Sequence, residues 1–210
     1  MKVLVVYAHP DPASFGAHLR DRVVATLTGA GHRVDLIDLY AEGFDPVVRT
    51  EDLDGARTET VLASHGSRLR SVEAVVFVYP TWWSGPPAML KGWLDRVLVE
   101  GVAYAVRPGS ARVRGRLHNI RHLVVVTTHG SPKWTNVLEG ESGKLLFQRG
   151  IRLLCHPRAR TMWLALYGID RSDEQARAAF VGRLEHDLAR LGTGSRFALP
   201  TRRRASNRPG

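Results

Sequence analysis

The chain has 210 residues, 44% of them hydrophobic and 24% charged, with 30 Lys and Arg against 20 Asp and Glu for a formal charge of +10. That length fits one folded domain with a single core and leaves no room for a second. No apolar run approaches the ~20 residues of a membrane-spanning helix, and the opening MKVLVVYAHP is too short for a signal peptide, so a cytoplasmic protein is expected. A lone cysteine, Cys155, excludes an internal disulfide and a thiolate metal site, and reads as a small buried hydrophobe. Clustered positive charge is the footprint of phosphate binding. Here much of the excess sits in Arg107, Arg112, Arg114 and Arg116 and in Arg202, Arg203, Arg204 and Arg208, with no nucleic-acid motif between them. No nucleic-acid partner is expected.

In chain order, residues 2–8 (KVLVVYA) predict a strand buried on both faces of a parallel sheet. Phe15, Leu19, Val23, Val24 and Leu27 then recur at helical spacing, and Gly29-Ala30-Gly31 ends the pattern where a helix C-cap is wanted. Residues 32–39 (HRVDLIDL), 73–79 (EAVVFVY), 122–128 (HLVVVTT) and 161–166 (TMWLAL) predict four further strands, with helices over 59–70, 87–98, 142–150 and 173–191. Alternating strands and helices with apolar strands indicate a doubly wound α/β sandwich. Five parallel strands are the flavodoxin-like number, with strand order 2-1-3-4-5. The domain spans residues 1–196, and 197–210 read as a basic, disordered tail.

In such a sheet the ligand lies beyond the C-terminal ends of the strands, which directs attention to the loops after strands one, three and four. The first is His9-Pro10-Asp11-Pro12-Ala13-Ser14-Phe15, running into a helix whose free N–H groups and dipole favour an anion. Ser14 is placed to cap that helix, and capping alone with His9 merely packed explains the loop equally well. There is neither a G-x-G-x-x-G fingerprint nor a G-x-x-x-x-G-K-[ST] loop, and residues 9–15 hold no cysteine nucleophile. Dinucleotide and phosphoryl-transfer sites on this topology are thereby excluded. The loop after strand three, Tyr79-Pro80-Thr81-Trp82-Trp83-Ser84-Gly85-Pro86-Pro87, sets two adjacent indoles at the ligand edge, flat apolar area for an aromatic ring. Trp93, further along, reads as core.

The segment from Pro80 to Val97 (PTWWSGPPAMLKGWLDRV) resembles the P-x-x-W-(W/F/Y)…K-x-W-(L/I/F)-(D/E)-(R/K)-V signature of the NAD(P)H:quinone oxidoreductase family, which includes the DT-diaphorases and the flavoprotein ancillary subunits of potassium-efflux systems. A-H-P-x-x-x-S-F at 8–15 and T-T-x-G-S at 127–131 resemble that family's first and third flavin loops, and 143–151 its following helix. The resemblance implies that His9, Ser14 and Phe15 bind the flavin phosphate, that Pro80, Thr81, Trp82 and Trp83 lie along the ring, and that Thr127, Thr128, His129, Gly130 and Ser131 face its N1/O2 edge. His129 would place a donor there, or else point away at the surface. The family's third loop continues to a Tyr and a His credited with relaying charge; here Pro132-Lys133-Trp134-Thr135-Asn136 follow, and that pair is not carried over.

The activity implied is hydride transfer from NADH or NADPH to a quinone or related electrophile by a ping-pong cycle. FMN is the expected cofactor and FAD the alternative, with no metal, and Trp82, Trp83 and Trp134 wall the substrate pocket. The family builds that pocket across a homodimer interface, for which 87–98 and 104–117 are candidate contacts. Two other uses of the same fold remain: a redox-sensing subunit making peripheral contact with a potassium-efflux type transporter, and a flavodoxin-like electron carrier, which the basic charge disfavours.

Overall fold

In β1 (Lys2–Tyr7) every residue after Lys2 is buried; Val3, Val5 and Tyr7 face one helical layer, Leu4 and Val6 the other. Such a strand is stable only between two layers, and the rest of the topology supplies them. The computed structural model describes residues 1–53, 60–107, 109 and 112–193. Residue 59, where the second helix was expected to start, and the tail over 197–210 lie outside the described residues.

After β1 come α1 (Phe15–Gly29), β2 (Arg33–Asp38), α2 (Thr50–Leu53), α3 (Thr60–Arg70), β3 (Ala74–Thr81) and α4 (Ala88–Val97). A short antiparallel hairpin, β4 (Tyr104–Val106) and β5 (Val113–Gly115), precedes β6 (His122–His129), α5 (Lys133–Leu138), α6 (Ser142–Leu145), β7 (Arg160–Tyr167) and α7 (Glu174–Ala189). The five-stranded sheet is parallel, in the order β2-β1-β3-β6-β7, which is the expected flavodoxin-like order. α1 and α7 cover one face, while α3 and α4 contribute to the core on the other.

Three differences from the sequence reading matter. β3 and β6 run on to Thr81 and His129, carrying their pairing into the loops. The single helix expected over 142–150 is instead α6, a π turn over Leu146–Gly150 and a 3₁₀ turn over Ile151–Leu154, which set Phe147 against Phe77 and Tyr79 at ring-centroid distances of 4.8 and 5.7 Å. α5 and the hairpin, both short, were not foreseen.

Trp93 is fully buried, and its Nε1–H donates to His65 Nδ1 (3.1 Å), leaving His65 Nε2–H to donate to Glu42 Oε2 (2.8 Å). Beside it, Arg96 is held by Asp52 (2.8 Å) and by the carbonyl of Asp45 (2.7 Å), pinning the α2 region to α4. Cys155 is buried, and desolvation pushes its thiol up to about 12.

Gly92 stands where α4 meets that pinned segment. A Cβ there would come within 2.2 Å of the Pro46 carbonyl oxygen and 2.5 Å of Pro46 Cβ, neither free to yield. Gly92→Ala is expected to destabilise the fold by about 1–3 kcal/mol, as overpacking does. Urea unfolding checks it: the midpoint should fall with the slope unchanged.

Candidate functional site

The C-terminal ends of β1, β3, β6 and β7 open into a cleft of about 560 Å³, within the roughly 300–1,000 Å³ typical of small-molecule sites. His9, Ser14, Phe15, Pro80, Thr81, Trp82, Trp83, Thr128, His129, Gly130 and Ser131 all line it. Thr127 and Trp134 do not. Thr127 is buried one residue back, its Oγ1 hydrogen-bonded to Thr81 Oγ1 (2.8 Å). Trp134, 67% exposed, lies on α5 with Val137 and Leu138, outside this cleft.

In the first loop Ser14 caps α1: Oγ accepts from Ala17 N–H (3.1 Å) and donates to the Asp11 carbonyl (2.8 Å). Asp11 N–H donates to His9 Nδ1 (3.0 Å), a bond that assigns the acceptor role to Nδ1 and the N–H to Nε2. The backbone N–H groups of Phe15 and Gly16 have no acceptor among the described residues. Helix end, free amides and imidazole N–H together make a cradle for an anion.

The second loop is a two-residue turn. Trp82 N–H donates to Gly85 O (3.0 Å) and Gly85 N–H to Trp82 O (3.1 Å), with positive φ at Trp83 (47°) and Ser84 (61°). That is the signature of a type I′ turn, which ordinarily takes Asn-Gly. Strain of this kind persists only where neighbours hold it. Here Ser84 Oγ donates to the Glu139 carboxylate, while Gly143 N–H (2.9 Å) and Ser142 Oγ (2.6 Å) donate to the Ser84 carbonyl. The turn displays the Trp83 indole, 99% exposed, at the mouth of the cleft.

Opposite stands His129, buried and stacked on Tyr167 at 4.5 Å; the alternative of a surface histidine pointing away is overturned, because β6 continues through it into the covered sheet edge. Asn136 Nδ2 donates to Ser131 Oγ and to the Pro132 carbonyl (both 3.0 Å), which turns its Oδ1 toward His129 Nδ1 at 2.7 Å. The proton therefore sits on Nδ1, a tautomer assigned from this network, and Nε2 offers a lone pair toward Thr81 Oγ1 (3.4 Å). Burial lowers the pKa of His129, the main effect, against the Asn136 hydrogen bond that raises it. The neutral ring thus presents an acceptor to the cleft, and it donates from Nε2 only after taking up a proton. Tyr167 donates in turn to Glu141 (3.2 Å). A Tyr and a His do meet at this wall, His129 from within the third loop and Tyr167 from the end of β7.

The family described as a flavodoxin-like fold matches residues 1–184. The chain is 30% identical over 204 residues to the ribosyldihydronicotinamide dehydrogenase [quinone] of Mus musculus, covering 84% of this chain and 85% of that one. It is 33% identical over 153 residues to the Pongo abelii protein of the same name, spanning 62% of this chain and 64% of that relative, a little under two thirds of its length. Among solved structures, the NAD(P)H:quinone oxidoreductase from Methanothermobacter marburgensis superposes with a TM-score of 0.77 at 26% identity, over 91% of this chain and 98% of that one. The chain belongs to the flavodoxin-like NAD(P)H:quinone oxidoreductase family.

Family motifs direct attention to three loops, but the cleft has a fourth contributor. Ile169 and Asp170, after β7, line it, as do Gly16, Ser84, Asn136 and Glu139. A Cβ on Gly130 would meet Asp170 Oδ2 at 2.7 Å, so the third loop and the β7 loop touch. The rule that ligands sit beyond all strand ends, applied to strand five as well, is the signal that finds Asp170.

The buried histidines make stability pH-dependent. His65 and His129 are both lowered from 6.5 chiefly by burial, so the unfolded chain binds protons first as pH falls. Stability is complete above 6.5 and drains away below it, until the folded-state values are passed. The melting temperature should fall from pH 7 to pH 5, and His129→Gln should flatten that slope; an unaltered slope would show that His129 does not contribute.

Proposed function

We propose that the chain is a flavin-dependent NAD(P)H oxidoreductase that passes hydride to a quinone-like acceptor, with the flavin held in this cleft. One observation carries the reading: an anion cradle at α1 and the amides of Gly130 and Ser131, which have no acceptor among the described residues, border one cleft, with the Trp82 and Trp83 indoles along its edge. The donor set fits the group. His9 Nε2–H and the amides of Phe15 and Gly16 suit a phosphate, the tryptophans suit a flat ring, and N–H donors suit the edge of a ring that gains negative charge. The lining offers one phosphate cradle and one ring wall, which favours FMN over FAD. Bound there, the flavin supplies the hydride chemistry itself.

The chain's part is to orient and to manage protons. Thr81, fixed between Thr127 and His129, holds its hydroxyl at the ring side of the cleft. His129 Nε2 is poised to accept a proton at that wall. Nicotinamide and acceptor would enter in turn at the open mouth beside Trp82 and Trp83, a ping-pong order.

The pocket is completed, in this reading, by a second copy. α4 presents chiefly Ala88, Lys91 and Asp95 to solvent, the last two ion-paired at 2.7 Å, so that helix offers little apolar area. α5 offers more: Trp134, Val137 and Leu138 (79% exposed) form an apolar face beside the cleft-lining Asn136 and Glu139. A homodimer that covers it would bring Trp134 to the partner's substrate space.

Two outcomes test the proposal. Ser14→Glu, which sets a carboxylate in the phosphate cradle, should weaken flavin retention at least about tenfold by like-charge repulsion while leaving the circular dichroism unchanged. Flavin absorbance after gel filtration reads it, and undiminished flavin would remove the first loop from the site. Leu138→Glu should give a monomer by light scattering that retains flavin but loses menadione reduction; a fully active monomer would end the shared pocket.

A further inference from the structure

At the opposite edge of the sheet, where β6 and β7 begin, lies a second cavity of about 640 Å³. It is roughly 23 Å from the His129 end, as the rise of ~3.3 Å per residue over β6 gives. Arg121, Arg152, Arg158, Arg160 and Arg190 line it, and among the described residues no Asp or Glu does. Two are already oriented: the guanidinium of Arg152 is held by the carbonyls of Ala159 and Pro157 (both 3.1 Å), and that of Arg190 by His186 (3.0 Å). The side chains of Arg121, Arg158 and Arg160 have no hydrogen-bond or ion-pair partner among the described residues. Their grouping is built into the fold, since Arg160 N–H donates to the Arg121 carbonyl (2.9 Å) as β7 joins β6.

Like charges gathered in a concavity repel one another unless something neutralises them. The chain that continues from the lip at Thr193 does not: residues 194–210 contain five arginines and no Asp or Glu. The neighbouring histidines register a mostly positive field. His122 and His156 are both lowered, first by desolvation and then by surrounding arginines and histidines, with the Glu73 carboxylate acting the other way on His122. Beneath the cationic rim the floor is apolar, formed by Val124, Ala159, Met162 and Leu191.

We infer that this cavity binds a small organic polyphosphate, a nucleoside di- or triphosphate in chemical class, with its phosphates on the arginines and its ring on the apolar floor. Arg forks bind phosphate oxygens bidentately, and a concave site of this volume suits a small molecule better than the convex backbone of a duplex.

Isothermal titration of the full chain, saturated with FMN, with ATP, tripolyphosphate, adenosine and a DNA duplex tests it. ATP should bind, tripolyphosphate more weakly, and adenosine not measurably. The double variant Arg121→Ser/Arg160→Ser should lose about tenfold or more in ATP affinity, the scale of a charge-assisted hydrogen bond, with FMN content unchanged. Arg158→Ser serves as a second, independent variant should the double one unfold. Absence of ATP binding at millimolar concentration, or affinity untouched by both variants, would overturn the site. Tripolyphosphate binding as tightly as ATP would overturn the nucleotide assignment, and a duplex binding more tightly than ATP would make the patch a nucleic-acid surface instead.

Discussion

The pairing of β3 with β6 is the constraint on which the cleft depends. Its register runs from Ala74 with His122 through to Pro80 with Thr128 and Thr81 with His129, so the ladder does not stop at the edge of the core. The two loops that follow leave the sheet as adjacent continuations of fixed strands. Their geometry is inherited from a hydrophobic ladder buried on both faces, which is how a site on loops acquires the precision of one on rigid elements. The Thr127–Thr81–His129 contacts are the last polar step of that ladder.

Stored strain sits beside this rigid frame. The Trp83-Ser84 turn takes a conformation suited to Asn-Gly and holds it through bonds to Glu139, Ser142 and Gly143. These bonds tie the indole-bearing turn to Glu139, just after α5, and to the first two residues of α6. Backbone strain maintained against local preference is found where placement of a side chain matters more than stability.

Much of this was legible in the sequence, for identifiable reasons. Strands such as VLVVY and AVVFVY are buried on both faces and announce themselves as unbroken apolar runs, and three motifs at three strand ends specified eleven lining residues of the cleft. Less legible features were of two kinds. α5 is six residues long, follows Pro132 and has no side-chain cap, so nothing local marks its start. Tyr167 and Asp170 act through contacts with residues distant along the chain, and the bond from Asn136 to His129, only seven residues away, depends on a helix that nothing local marks.

Burial of Cys155 bears on how the chain would fare beside the quinone-like acceptors of the proposed reading. Quinones are Michael acceptors, and the groups they alkylate fastest are thiolates. With its thiol pushed up to about 12, Cys155 at neutral pH is ionised in only about one molecule in 10⁵, and the protein packed around it keeps an arylating molecule out of reach. The chain has no other cysteine to offer. On the proposed reading, the chain would thereby be spared the self-inactivation that an exposed, acidic thiol would invite among soft electrophiles.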